Sequence, residues 1–198
     1  MDSFSTIASA SEGIYKDKGS KFLAFAYPVD SEEEVKEKVD NLRKKYFDAR
    51  HCCYAYRLGA DGERYRANDD GEPANSAGKP ILGQLVAHDV TNVLVVVVRY
   101  FGGILLGVGG LVQAYRLATA DALANAEIIT GTVTETYTFT FGYPDMNRVL
   151  KVVKGMNLEY YGQDFNLDCT MSVKVRKSLA GQMKKQLEPV ESLKITIV

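Results

Sequence analysis

The strongest apolar signal in the chain is the run Val93-Leu94-Val95-Val96-Val97-Val98. β-Branched residues dominate it, and a run apolar at every position suits a strand buried on both faces better than a helix. Arg99 closes the run. Gly102, Gly103, Gly107, Gly109 and Gly110 then mark a loop, and from Leu111 an Ala- and Leu-rich segment without proline predicts a helix. Upstream, residues 4–9 predict a short strand. Residues 21–29 predict a longer one, with Phe22, Ala24 and Ala26 alternating against Leu23, Phe25 and Tyr27. Asp30 or Ser31 can cap a helix reaching Tyr46, with Glu32, Glu33 and Glu34 near its positive end and Arg43, Lys44 and Lys45 near its negative end. Val35, Val39, Leu42 and Tyr46 form its apolar stripe. Residues 51–58 and 63–67 predict a hairpin around Gly59 and Gly62. Cys52, Tyr54, Tyr56 and Leu58 share one face of its first strand, and His51, Cys53, Ala55 and Arg57 the other. Pro80 fits the first turn of a short helix carrying Ile81, Leu82, Leu85 and Val86.

The pattern changes after Gly131. Residues 132–141 alternate strictly and predict a strand, and residues 145–155 predict an amphipathic helix on Met146, Val149, Leu150 and Val153. Strands at 158–165 and 167–175, a helix at 176–187 and a strand at 193–198 follow. The order βαββαβ is that of a ferredoxin-like domain. The expectation is therefore an α+β protein of two domains, residues 1–131 and 132–198.

Composition narrows the class without naming a function. The net charge is −1, and 15 basic residues face 18 acidic ones before Thr132 against nine and seven from there on. That asymmetry is too small to announce nucleic acid, and no DNA partner is expected. No run approaches the ~18 apolar residues of a membrane span, and the N-terminus lacks a charged region leading into an apolar core. Three cysteines, two of them adjacent (Cys52 and Cys53), make no disulfide framework and no metal-type spacing. A cytoplasmic protein without a membrane partner is expected.

Three stretches could carry chemistry. Strand, glycine loop and helix in that order bring backbone N–H groups to a helix N-terminus, where an anion can bind; Arg99 and Arg116 could add charge. The loop is neither a dinucleotide fingerprint nor a Walker loop, and the glycines could equally serve tight turning and close packing. In residues 68–80, Asp69, Asp70 and Glu72 could hold Mg²⁺, although Asp-Asp-Gly-Glu-Pro is also good turn chemistry. Ser76 lacks a nucleophile elbow. His51 beside Cys52 and Cys53 invites a Cys–His nucleophile reading, whereas free cysteines are usually small buried hydrophobes. His88 suits the end of a short helix.

The combination of His51-x-Cys53-Tyr-Ala-Tyr-Arg57, Asp69-Asp-Gly-Glu-Pro73, Ala77-Gly-Lys-Pro80, Val98-Arg-Tyr-Phe-Gly-Gly103 and Leu106-Gly-x-Gly-Gly110 resembles the YigZ/IMPACT family. Asn75 stands where that pattern usually has Gly, and Asn tolerates positive φ better than most residues. The resemblance implies a first domain with a βαβ-containing fold like that of a small-subunit ribosomal protein and elongation factor G domain IV. It implies a second domain like elongation factor G domain V. Eukaryotic IMPACT proteins are regulators of translation that restrain a stress kinase by engaging its activator, and they carry an extra N-terminal interaction domain for which this chain is expected to have no room. The kinase-restraining role is therefore not carried over.

Two functions are expected from this. The first is a non-enzymatic regulator of translation that binds the ribosome, structured RNA or a translation factor through residues 68–79 and 101–110. Arg57, Arg64, Arg66, Lys79, Arg99 and Arg116 would position phosphates there, with Gly102, Gly103, Gly107, Gly109 and Gly110 as the backbone cradle. It needs no cofactor. The alternative is a magnesium-dependent enzyme on a phosphorylated small molecule or nucleotide, with Asp69, Asp70 or Glu72 as ligands. No activated nucleophile or base is obvious, which favours binding over catalysis.

Overall fold

The computed structural model describes residues 2–165 and 168–198. Contacts within the chain define two units, residues 4–131 and residues 132–198 joined by Asp2 and Ser3. The first part of the chain runs β1 (Ser3–Ile7), β2 (Ser11–Asp17), β3 (Ser20–Pro28), α1 (Glu32–Lys45), β4 (His51–Leu58), β5 (Arg64–Asn68), α2 (Gly78–Ala87), β6 (Val93–Tyr100), α3 (Gly107–Ala124) and β7 (Ile128–Thr132). Five strands form one antiparallel sheet in the order β2-β3-β6-β4-β5. β3 and β4 both run antiparallel to β6, so β3-α1-β4 is a βαβ unit with β6 inserted between its strands.

The all-apolar run becomes the central strand because both faces of the sheet are covered. Val93, Val95 and Val97 pack toward α2 and α3, in a core with Phe22, Ala24, Cys53, Ile81, Leu111 and Tyr115. Leu94, Val96 and Val98 pack toward α1, with Phe25, Val35, Leu42, Cys52 and Tyr56. The face assignments read from β3 and β4 follow the same alternation. Ser31 caps α1 by accepting from the Glu34 backbone N–H at 3.2 Å, and the Glu34 carboxylate accepts from the Asp30 N–H at 3.1 Å.

Several expectations need correction. β2 and β7 are not visible in the sequence as strands. β2 exposes every second side chain, and β7 is exposed along most of its length and pairs with the distant β1. α3 begins at Gly107, four residues earlier than Leu111, so Gly107, Gly109 and Gly110 belong to its first turn. The short helix expected around Pro80 is observed as α2, with Gly78, Ile81 and Leu85 buried and Val86 exposed.

Residues 132–198 hold β8 (Thr134–Gly142), α4 (Met146–Gly155), β9 (Glu159–Phe165), β10 (Asp168–Arg176), α5 (Ala180–Leu187) and β11 (Lys194–Ile197), with 3₁₀ turns leading into both helices. The expected start of one strand at Leu167 lies outside the described residues. The strands pair antiparallel in the order β11-β8-β10-β9. Their apolar face, Tyr137, Phe139, Phe141, Met171 and Val173, packs on Val149, Val153, Met183 and Leu187. Asp2 joins this unit, accepting at its carboxylate from the Ser178 N–H (2.8 Å) and hydroxyl. Among the described residues no helix is long and apolar enough to cross a membrane.

Candidate functional site

The end of the sheet where β6 finishes and β4 begins gathers most of the residues singled out above. His51 of β4 sits opposite Arg99 of β6 in the register. Segment 69–78 folds across this end because its acidic side chains find backbone donors there. Asp69 accepts from the N–H groups of Asn75 (2.8 Å), Ala77 (3.0 Å) and Gly78 (2.8 Å). Ala77, the cap residue of α2, has no side-chain acceptor, and Asp69 supplies one from eight residues away. Asp70 accepts from the Cys52 N–H at 2.7 Å and pairs with Arg43 at 2.6 Å. Its carbonyl lies 2.9 Å from His51 Nδ1, a contact that puts the imidazole proton on that nitrogen. Asn75 has φ +63°, the left-handed conformation that the Gly-to-Asn departure requires.

Glu72 turns inward. Its Oε1 accepts from Arg99 at 2.6 Å and from the Tyr115 hydroxyl at 2.8 Å, and the three side chains are buried. The Cys53 thiol donates to the Asp69 carbonyl at 3.0 Å and lies 3.3 Å from the Tyr115 hydroxyl. The Arg99 guanidinium lies over the rings of Phe22 (5.5 Å) and Phe101 (5.7 Å), and its Nε has no hydrogen-bond partner among the described residues. Burial pushes both thiols up: Cys52 to about 11, and Cys53 further, with the neighbouring carboxylates adding to the effect. Burial and the Cys53 contact likewise raise the Tyr115 phenol. Thiols held protonated are poor nucleophiles, so the Cys–His reading gains no support from this geometry.

The three carboxylates thus point to three different places, and each holds protein donors. Among the described residues no three metal-ligating side chains converge. The Asp-Asp-Gly-Glu-Pro segment works here as a brace that ties α2, β4 and β6 together.

The basic residues named above lie in different places. Arg99 is buried and ion-paired, so it is no surface charge. Arg57, at the opposite end of the sheet opposite Val93, donates to the Val90 carbonyl at 2.9 Å. Arg64 and Arg66 are exposed on the edge strand β5, and Arg66 borders a groove against α1 with Asp40 and Arg43. Lys79 and Arg116 are exposed, and neither lies within ion-pair distance of a carboxylate among the described residues.

The glycines divide by role. A Cβ on Gly102 would lie 1.9 Å from the Gly19 carbonyl carbon, so Gly102 is there for close packing against the β2–β3 turn. Gly103 (φ +87°) and Gly107 (φ +71°) need left-handed backbone. Gly103, Gly107 and Gly109 all face open space. Around them Phe101, Ile104, Leu105 and Val108 are exposed, Leu105 by 83%. The first turn of α3 carries no side-chain cap and no acidic residue, so its N–H groups and this apolar loop are presented together.

Tyr115 and Arg43 are site residues that sequence reasoning missed. Tyr115 sits on the apolar stripe of α3 with Leu111, Ala118 and Ala122, where a buried hydroxyl demands a partner.

The family model for the Impact N-terminal domain matches residues 18–123, from the β2–β3 turn through nearly all of α3. The chain belongs to the IMPACT family. It is 42% identical over 125 residues to the IMPACT family member YigZ of Escherichia coli (strain K12), covering 62% of this chain and 61% of that protein. It is 41% identical over 140 residues to an IMPACT family member in the pol 5′ region of Thermus thermophilus, covering 71% and 75%. A crystal structure titled only as that of a hypothetical protein superposes with a TM-score of 0.78 at 31% identity, over 100% of this chain and 98% of that one. The alignment thus spans about three-fifths of the YigZ relative's length. The braced cluster and the apolar loop both lie inside the IMPACT-matched region.

Proposed function

We propose that this chain is a non-enzymatic regulator of translation that docks on the ribosome, its RNA or a translation factor. Residues 101–110 are the contact and residues 69–78 its brace. The observation that carries the reading is the difference between those two segments. The brace uses its carboxylates internally, whereas the loop leaves four apolar side chains and an uncapped helix end open. Exposed apolar groups clustered around free backbone donors suit recognition of a partner; buried, protonated thiols do not suit covalent catalysis. The translation role comes from the IMPACT family resemblance, and the site's position within the IMPACT-matched region supports it.

A pulldown from native lysate with the full chain, with and without RNase, tests the reading. Recovery of ribosomes or a translation factor is expected. Their absence in both arms would overturn it.

A further inference from the structure

We infer that the sheet face beside Phe101 is a platform for single-stranded RNA; this rests on the translation reading and names the chemistry of one partner. α1 covers β3, β6 and β4 but leaves the turn end of β2 and β3 open. The uncovered strip forms a groove of about 550 Å³ that includes Ile14, Lys16, Lys21, Tyr46, Tyr100 and Phe101. Lys16 and Lys21 are cross-strand neighbours, and Lys21 is paired in turn with Tyr100, so two cations and an aromatic ring stand in one row across three strands. Both lysines are exposed, and neither lies within ion-pair distance of a carboxylate among the described residues. Lys45 adds a third cation at the margin, over the Tyr46 ring at 5.1 Å.

Acidic groups are near but do not cancel this row. Asp48 accepts from the Tyr100 hydroxyl at 2.8 Å, which fixes the ring, and Glu12 lies two residues along β2 from Ile14. The floor is held rigidly. Gly19 and Gly102 meet at distances that admit no Cβ, and the Gly102 N–H donates to Ser20 Oγ at 3.1 Å. Exposed lysines beside the exposed Phe101 ring and the half-buried Tyr46 and Tyr100 rings, on a fixed sheet face, match what an unpaired strand requires: cations for the backbone and π-faces for the bases. A protein ligand would use the lysines but has no general need for the rings beside them. Duplex RNA hides the faces of its bases.

The test is fluorescence anisotropy with the full chain and a labelled single-stranded oligouridylate. A duplex RNA of equal length and an oligoglutamate peptide serve as the other arms. Tight binding of the single strand alone is expected. Lys16→Gln with Lys21→Gln should make the plot of log affinity against log salt shallower by about 1.4. Tyr100→Ala should weaken binding about tenfold, whereas Tyr100→Phe should keep it. Thermal melts confirm that each variant is folded. Unchanged affinity and salt slope in folded Lys16→Gln/Lys21→Gln, or equal binding of the duplex, would overturn the proposal. Binding of oligoglutamate in place of RNA would overturn it too and make the groove a protein-docking face. Ribosome recovery without oligouridylate binding removes the platform alone; oligouridylate binding without ribosome or factor recovery removes the translation reading alone.

Discussion

Arg99 and Glu72 are 27 residues apart in sequence and 2.6 Å apart in space, with side chains only 7% and 3% exposed. Tyr115 closes the pair by donating to the same carboxylate oxygen. A strand end, a loop and a helix are thereby fastened at one point beneath the exposed loop.

Breaking that point should unfold the protein more readily. Arg99→Ala or Glu72→Ala strands a buried charge and is expected to lose about 3–5 kcal/mol in urea unfolding. The double variant Arg99→Met/Glu72→Leu should lose clearly less than the two single losses combined, because neither charge remains. A loss under ~1 kcal/mol for Arg99→Ala, with weaker and less salt-dependent ribosome association, would return Arg99 to a surface role.

Asp69 is expected to act as a cap at a distance. Asp69→Ala leaves three backbone N–H groups without their acceptor, and a loss of at least ~1–2 kcal/mol is expected. Asp69→Asn keeps one acceptor oxygen and should lose less. Limited proteolysis should cut the 69–78 segment faster in Asp69→Ala than in the parent; equal rates would contradict the brace.

The glycines should respond oppositely. Gly102→Ala drives a Cβ into the Gly19 backbone and should destabilise by several kcal/mol, read by thermal melt. Gly109→Ala enters open space inside a helix and should be neutral or stabilising by up to ~1 kcal/mol. A melt in which Gly109→Ala is the more damaging change would place the close packing at the wrong glycine.

Two buried thiols give a pH signature. Cys52 is raised from its ordinary 9 to about 11, and Cys53 is raised as well. Because the folded state favours the protonated thiols, their contribution is fully present below about pH 9 and is lost as pH climbs through the folded value. Unfolding free energy should therefore fall between about pH 9 and 11, and Cys52→Ala should flatten that fall. An unchanged slope in Cys52→Ala would contradict the assignment.

Much of the fold was legible because the sequence signals were local. The alternation of β3 and β4, the capped α1 and the uniformly apolar β6 each follow from residues within one element. β2 was not, since it is held by partners far along the chain. A Cβ on Gly13 would lie 2.2 Å from the Ala122 nitrogen, and the Ile14 N–H donates to Asp121 at 2.8 Å. The start of α3 was hidden because glycines signal loops, although here they form its first turn. The motif residues were readable as important, but their directions were not. Arg99 looked like an anion-binding charge because its counter-charge, Glu72, belongs to a different motif. Tyr115 was hidden by its apolar helix face.

The most direct measurement is co-sedimentation of the purified full chain with purified ribosomes, comparing the parent with Leu105→Asp and Val108→Asp at two salt concentrations. Both positions are exposed, and an acidic residue in the first turn of α3 favours the helix dipole, so Val108→Asp should melt no lower than the parent. Binding at least about tenfold weaker is expected in both variants with folding intact. Folded variants that sediment as the parent does would contradict the assignment of residues 101–110 as the contact.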